Sequence, residues 1–163
     1  MWIVLLALAL LIAVGCSMPG DNCLPIGCEN VAAGIVDVPL AREALDGARL
    51  DVCRNGMCAH AEVIVRSTDG ELICSSTGRT SGRGKARCDP LVETLETGVR
   101  VRVRYTADRA ERFEDGDVFT VRFTDASAKT TLAQRSGTVA SYRVWSPSGN
   151  DCEVGVECRV GSF

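Results

Sequence analysis

Histidine is almost absent from this sequence, in which His60 is the only one among 163 residues. Any catalytic arrangement of a serine or cysteine with histidine must therefore use His60. Lysine is scarce as well, because every basic residue is arginine except Lys85 and Lys129. No large excess of either charge is present, since the formal net charge is −3. A balance this mild does not indicate nucleic-acid binding or strong attraction to anionic lipid.

The sequence has no hydrophobic run long enough to be a convincing permanent membrane span. Residues 2–14 contain thirteen consecutive side chains without a polar group, whereas a transmembrane helix needs about 20. That length is typical of the hydrophobic region of a signal peptide. Ala13, Val14 and Gly15 supply the small residues at which a peptidase could cut. The sequence therefore predicts export.

The block Ala13-Val14-Gly15-Cys16 resembles the lipobox of bacterial lipoproteins. In that family the cysteine becomes the lipid-modified first residue of the mature chain. The resemblance covers only residues 1–16; Ala13 stands where leucine is commonest, and no Lys or Arg precedes the apolar run. It implies a signal peptide over residues 1–15, a lipidated Cys16 with a short tether over 16–22, and membrane anchoring at the bacterial cell envelope. The alternative is an ordinary secretory signal peptide, and both interpretations export the chain.

The cysteine count agrees with lipidation. Nine cysteines are an odd number, and a lipid on Cys16 would leave eight for disulfides in an oxidising compartment. A free thiol or an intermolecular bridge would also restore an even count. Zinc binding by the Cys-x4-Cys pairs is a further alternative, which export disfavours because exposed thiolates would oxidise. Local spacing favours four bridges: Cys23–Cys28, Cys53–Cys58, Cys74–Cys88 and Cys152–Cys158. The last requires the chain to curl between its two cysteines, as Gly155 favours; in one straight strand they would be about 20 Å apart and could not bond.

The segment from Ala48 to Arg66 predicts a β-hairpin. Asn55-Gly56 is a preferred pair for a two-residue type I′ turn, because both central residues need a positive φ. Cys53 and Cys58 then fall at a non-hydrogen-bonded pair, where the Cα atoms are close enough for a disulfide. The full predicted register is Arg54–Met57, Cys53–Cys58, Val52–Ala59, Asp51–His60, Leu50–Ala61 and Arg49–Glu62.

Alternation of apolar and polar residues predicts further strands. Residues 99–105 place valines and Tyr105 on one face and arginines on the other, and residues 119–123 form a second inward row after a turn at 114–117. Strands are also expected at 34–38, 72–74 and 139–145, and short helical turns at 40–45 and, after Asp89-Pro90, at 91–97. This spacing predicts an all-β fold for residues 23–163: a single antiparallel β-sandwich stapled by disulfides. It resembles immunoglobulin-like and fibronectin-type modules in architecture, without a family-specific motif.

Two groups of acidic residues are candidates for chemistry. The predicted Asp51–His60 pair could be the orienting half of a catalytic triad, but no nucleophile elbow or oxyanion loop accompanies it. An exposed polar pair across two strands is the expected role. Glu114, Asp115 and Asp117 could bind Ca²⁺, although their spacing does not match an EF-hand loop and a charged turn is expected instead.

Two groups of cations are candidate partner-binding residues. The first comprises Arg79, Arg83, Lys85 and Arg87 in the Gly-rich loop 75–87, which is the expected first contact for an anion or a partner. The second is the row Arg100, Arg102 and Arg104, which could hold phosphate, a sulfated glycan or lipid headgroups. The alternative for the row is a solvated strand face that deters edge pairing.

We therefore expect an exported binding or structural module with a protein or glycan partner, no cofactor, no metal and no nucleic acid. The alternatives are a small extracytoplasmic hydrolase using His60 and Asp51, or an inhibitor of a secreted hydrolase.

Overall fold

The structure is a computed structural model that describes residues 29–66, 71–75, 84–107, 111–145 and 158–163, leaving aside the side chains of residues 90–92. Within these residues the chain forms ten strands and one 3₁₀ turn. Their bounds are β1 (Asn30–Val38), the 3₁₀ turn (Arg42–Leu45), β2 (Arg49–Arg54), β3 (Met57–Val65), β4 (Leu72–Ser75), β5 (Gly84–Leu95), β6 (Gly98–Ala107), β7 (Val118–Thr124), β8 (Thr131–Thr138), β9 (Arg143–Trp145) and β10 (Cys158–Ser162).

The strands form two five-stranded sheets that pack face to face. The first sheet has the order β5-β6-β1-β10-β9, and the second has the order β4-β3-β2-β7-β8. All of their pairings are antiparallel except that of β1 with β10, which is parallel. The predicted all-β sandwich is confirmed, with this one parallel pair as an addition.

The core lies between the sheets and takes alternate residues from each strand, as the period of two requires. The predicted inward rows are buried: Val99, Val101, Val103 and Tyr105 on β6, and Phe119, Val121 and Phe123 on β7. Phe163 closes one side of this core by stacking on Phe119 with ring centroids 4.7 Å apart. Gly34 on β1 makes room for it, because a Cβ there would collide with the Phe163 ring.

The hairpin of β2 and β3 has the predicted register at every pair. Asn55 and Gly56 have φ values of 47° and 85°, as the type I′ turn requires. Cys53 and Cys58 form the predicted disulfide. This part of the fold could be predicted because the turn residues and the alternating residues that flank them are adjacent in the sequence.

The second predicted bridge, Cys74–Cys88, is confirmed and joins β4 to β5, with Cα atoms 5.1 Å apart. Since β4 belongs to the second sheet and β5 to the first, this bond connects the two sheets at one edge of the sandwich. Cys158 is disulfide-bonded too. The predicted Cys152–Cys158 and Cys23–Cys28 pairings involve residues outside the described part of the chain, as do the signal peptide, Cys16 and the tether. The bridges that are described indicate an oxidising compartment.

Several boundaries differ from the prediction. The helical turn expected at 91–97 is wrong, because β5 continues to Leu95 with a shift of register between Cys88 and Val92. A bulge of this kind accommodates Pro90, whose missing N–H would break a regular ladder. The loop expected at 75–87 ends earlier than predicted, since β5 begins at Gly84.

The remaining differences concern the last third of the chain. The strand expected at 139–145 is shortened to β9 (Arg143–Trp145), and β8 was not expected at all. β8 has no clear alternation, since all eight of its residues are exposed or half-buried. The segment expected to curl between Cys152 and Cys158 lies outside the described residues, and the strand β10 begins at Cys158. The helical turn at 40–45 is confirmed as the 3₁₀ turn.

Candidate functional site

The outer face of the first sheet carries the predicted row of arginines beside an apolar row. On β6, Arg100, Arg102 and Arg104 point away from the core, and their register partners on β1 are Asp37, Ile35 and Ala33. The pleat puts these side chains on one surface, because residues directly opposite in a ladder share a face. Charge therefore follows β6 while small aliphatic groups follow most of β1.

The arginines of this row differ in their ion pairs. Arg100 donates from Nε to Asp37 Oδ1 at 2.8 Å and from Nη1 to Glu93 at 3.2 Å. Arg104 binds both carboxylate oxygens of Asp89, at 2.7 and 2.9 Å. Arg102 has only one ion-pair contact with the described residues, to Asp89 at 3.9 Å. The middle arginine is therefore the one with most capacity left for another anion.

A groove of about 550 Å³ opens beside this middle arginine, and we call it the basic groove. Its aliphatic lining consists of Val31, Ala33, Ile35 and Val160, and its cationic lining of Arg102, Arg104 and Arg135; Gly34, Ser162 and Phe163 complete it. Ile35 is 37% exposed and Val160 is 45% exposed, so the apolar surface is accessible from outside.

The groove exists because β10 is shorter than β1. β10 pairs only with Val31–Ala33, and Phe163 donates its backbone N–H to the Ala33 carbonyl at 3.0 Å. β1 continues to Val38 beyond this point. Arg135 reaches across from β8 and donates from Nη1 to the carbonyl of Ile35. Arg102 and Arg135 consequently flank Ile35 from its two sides.

The charge on this face is opposite in sign to that of the whole chain. The described side chains of β1, β5 and β6 place five cations outward, Lys85, Arg87, Arg100, Arg102 and Arg104, against the carboxylates of Asp37, Asp89 and Glu93. Arg135 adds a sixth cation at the groove and has no carboxylate of the described residues within ion-pair distance. Since the net charge of the protein is −3, positive charge is segregated here.

Asp37 forms an ion pair with Arg100. The hydrogen bond from Arg100 lowers the pKa of Asp37 below its ordinary value, and the charges of Arg100 and Arg135 act in the same direction. The pKa of Arg100 is raised in turn by its hydrogen bond and charge interaction with Asp37. This pair therefore stays ionised, and Asp37 leaves Arg100 with less capacity to bind another anion.

The predicted Asp51–His60 pair is present on the outer face of the second sheet, but the expectation that it is exposed is wrong for Asp51, which is only 3% exposed. His60 Nδ1 lies 2.5 Å from Asp51 Oδ1. Asp51 also accepts from Arg49 Nε at 3.0 Å and from Arg122 Nη2 at 2.8 Å. Burial raises the pKa of Asp51, but the hydrogen bonds from Arg122, His60 and Arg49 outweigh it and hold that pKa below its ordinary value. Asp51 therefore connects side chains of the three strands β2, β3 and β7 by hydrogen bonds.

A recess of about 470 Å³ lies beside His60, lined also by Arg49 and Glu62. Among the described residues no serine, threonine or cysteine lines this recess or hydrogen-bonds to His60. The recess thus contains a histidine with an orienting carboxylate, and the described part of the chain adds no nucleophile.

The acidic turn at 114–117 forms hydrogen bonds within the protein through Asp117. Asp117 is 4% exposed and accepts from Arg54 Nε at 2.7 Å, from Asn55 at 2.8 Å and from the Tyr142 hydroxyl at 3.0 Å. Burial raises the pKa of Asp117, but the hydrogen bonds, led by that from Arg54, bring it below its ordinary value. Sequence reasoning missed this cluster because Arg54 and Tyr142 are distant in the sequence. Asp117 has no free oxygen with which to begin a calcium site.

The cluster extends to a second carboxylate. Arg54 Nη1 donates to Glu111 at 3.0 Å, and the guanidinium carbon lies 4.5 Å from the centre of the Phe113 ring. Burial and the charge of Glu111 raise the pKa of Tyr105 to about 12. These groups connect the turn of the hairpin to the end of the sandwich, which is a structural role. The described residues contain no group of three or more His, Cys, Asp or Glu placed to hold a metal ion.

Of the predicted loop cations, Lys85 and Arg87 are exposed on β5, whereas Arg79 and Arg83 lie outside the described residues. Sequence reasoning did not identify Arg135, Ile35 or Val160, and no local pattern marks them as a group. No helix in the described part of the chain has the length and hydropathy needed to cross a membrane. The chain matches no protein-family model, and comparison with curated proteins and with solved structures gives no significant match.

Proposed function

We propose that this protein is an exported binding module, held to the membrane through a lipid on Cys16, that takes an anionic ligand in the basic groove. The observation that supports it best is the placement of two arginines beside accessible aliphatic surface: Arg102, whose one ion-pair contact with the described residues is long at 3.9 Å, and Arg135, which has none with them. A volume of about 550 Å³ lies within the usual range for a small-ligand site.

The chemistry of the groove favours binding over catalysis. Arginine stays protonated in proteins, so it offers charge and directed N–H donors but does not exchange protons. The remaining lining is aliphatic or aromatic apart from Gly34 and the Ser162 hydroxyl. Such a set recognises a carboxylate or phosphate through charge-assisted hydrogen bonds, and it excludes water with its apolar part.

Export and anchoring rest on the leader and on the cysteines. The disulfides Cys53–Cys58 and Cys74–Cys88 agree with an oxidising compartment. We expect the native protein to begin at Cys16, to carry acyl mass, and to react with no alkylating reagent before reduction. Intact-mass measurement with and without reduction tests this. An unlipidated chain with one alkylated cysteine would contradict the anchor and indicate a secreted protein with a free thiol.

The binding proposal is tested on an exported Cys16→Ser chain, which carries no lipid and needs no detergent. Amide chemical shifts are followed during titration with acetate, inorganic phosphate, hexaglutamate, a heparin hexasaccharide and decanoate. We expect at least one anion to shift the amides of Ile35 and Val160, and Arg102→Gln and Arg135→Gln to abolish that shift. Arg66→Gln is the matched control, because Arg66 is an exposed arginine just after β3, away from the groove, with its own partner, Glu71. If no anion binds in a way that depends on Arg102 and Arg135, the proposed function is wrong.

A further inference from the structure

We propose that the ligand of the basic groove is a single-chain aliphatic anion, whose head group binds Arg102 and Arg135 and whose chain lies on Val31, Ala33, Ile35 and Val160. This inference rests on the proposed function and specifies the ligand class. It depends on three properties of the groove: which charges are already neutralised, what the apolar surface is made of, and how long it is.

The distribution of carboxylates argues for a ligand with one charged end. Arg100 is occupied by Asp37 and Glu93, and Arg104 is occupied by Asp89. An extended polyanion lying along the row would meet these carboxylates on both sides of Arg102. Like charges brought together at an interface oppose binding. A ligand with a single anionic group avoids them and still reaches Arg102 and Arg135.

The apolar surface fits methylene groups better than sugars or aromatic rings. Its accessible part consists of the branched aliphatic side chains of Val31, Ile35 and Val160 together with Ala33. Among the described residues of the lining, Phe163 is the one aromatic, and its ring is stacked on Phe119 with planes 8° apart. Ser162 is the one uncharged polar side chain among them. Recognition of sugar hydroxyls needs more donors and acceptors than one serine supplies.

The length of the surface sets the size of the chain. Val31 to Ile35 is four residues along β1, which corresponds to about 13 Å, the length of an extended chain of about ten carbons. Burial of methylene groups is the main source of affinity for such a chain. The two arginines fix its direction, because the head group must lie beside Ile35.

The test uses decanoate below its micellar concentration with the exported Cys16→Ser chain, followed by calorimetry and amide shifts. Decanol keeps the chain without the charge, and acetate keeps the charge without the chain. We expect decanoate to bind at micromolar to millimolar concentration, and decanol to bind about tenfold more weakly or not at all. Acetate should not bind measurably. Arg102→Gln and Arg135→Gln should each weaken decanoate by about tenfold or more, while Arg66→Gln should leave its affinity unchanged.

The apolar surface of the basic groove is tested separately with Ile35→Glu. Ile35 is partly exposed, so the fold should tolerate the change, and the urea midpoint of this variant confirms that it folds. Decanoate affinity should fall below detection, because a carboxylate would then lie between the two arginines. To distinguish a free amphiphile from a membrane lipid, vesicles of phosphatidylcholine with one fifth lysophosphatidic acid are added as a competitor. Greater release of decanoate by these vesicles than by vesicles of phosphatidylcholine alone identifies a lipid as a competent source of the same chemistry, and equal release by the two identifies a free amphiphile.

Failure of this inference can be told apart from failure of the proposed function. If hexaglutamate or the heparin hexasaccharide binds in an arginine-dependent way and decanoate does not, the groove is a polyanion site and the aliphatic anion is wrong. Decanoate binding that survives both arginine substitutions and Ile35→Glu would place the ligand elsewhere and overturn the inference. No arginine-dependent binding of any anion would overturn both proposals.

Discussion

Removal of the disulfide between the sheets should cost more stability than removal of the one within the hairpin. Cys74 and Cys88 are separated by 14 positions, whereas Cys53 and Cys58 are separated by 5. In the chain-entropy model the longer loop contributes about 3 kcal/mol and the shorter one about 2 kcal/mol. The Cys53–Cys58 disulfide should contribute less than this loop-length value, because the Asn55-Gly56 turn already favours closure of that loop in the unfolded chain.

The comparison uses two double variants, Cys74→Ala with Cys88→Ala and Cys53→Ala with Cys58→Ala, so that neither leaves a free partner thiol. Urea unfolding without reductant gives the free energy of unfolding and its m-value. We expect a loss of about 3 kcal/mol for the first and about 2 kcal/mol or less for the second. The m-value should also rise more for the first, since the unfolded chain becomes less constrained. Equal losses, or a greater loss for the hairpin pair, would refute the argument from loop closure.

Four further changes have expected outcomes. The protein should lose stability as the pH falls below about 4. The pKa of Asp117 in the folded protein is below its ordinary value of 3.8, so the stabilisation by this carboxylate is complete only above that value and is lost as the carboxylate is protonated. Asp117→Asn should cost about 3 kcal/mol at neutral pH and should reduce the fall of the unfolding midpoint at acid pH. Phe163→Ala should cost about 2 kcal/mol in urea unfolding, less than the 3–5 kcal/mol roughly typical of fully buried phenylalanine, because this ring is partly exposed; a change below about 0.5 kcal/mol would mean that the ring does not close the core. His60→Ala should leave decanoate affinity unchanged, and loss of any hydrolytic activity detected in the wild-type protein would instead support the enzyme alternative. Asp89→Asn should raise the affinity for hexaglutamate more than that for decanoate in parallel calorimetric titrations, because it frees both Arg102 and Arg104; an equal effect on the two ligands would contradict the role given to Asp89.

The parts of the fold that could be predicted are those whose signals agree over short distances. The hairpin at Asn55-Gly56 and the alternation of Val99 to Tyr105 needed no information about the rest of the chain. β5 was predicted wrongly because Asp89-Pro90 is a good local start for a helix. Pairing with the whole of β6 and the bond from Cys88 to the other sheet favour a strand instead. Neither constraint is visible in residues 89–97 alone.

The candidate site could be predicted only in part, for the same reason. The sequence identifies Arg100, Arg102 and Arg104 as a row, but it does not distinguish them. The middle one differs because the register brings Asp37 to Arg100 and the bulge brings Asp89 to Arg104. Arg135 enters from a strand without an amphipathic pattern. The groove combines β1, β6, β8 and β10, which no local signal connects.

The arginines of this face have a simpler explanation that must be compared with a ligand site. β10 covers β1 only as far as Ala33, and an uncovered strand edge invites pairing with other chains unless charge or a cap protects it. Arg135 caps the carbonyl of Ile35 and adds charge at that edge, so edge protection accounts for it fully. Edge protection does not account for Ile35 and Val160, whose exposed aliphatic surface would promote association rather than prevent it. An aliphatic anion accounts for the arginines and for this apolar surface together.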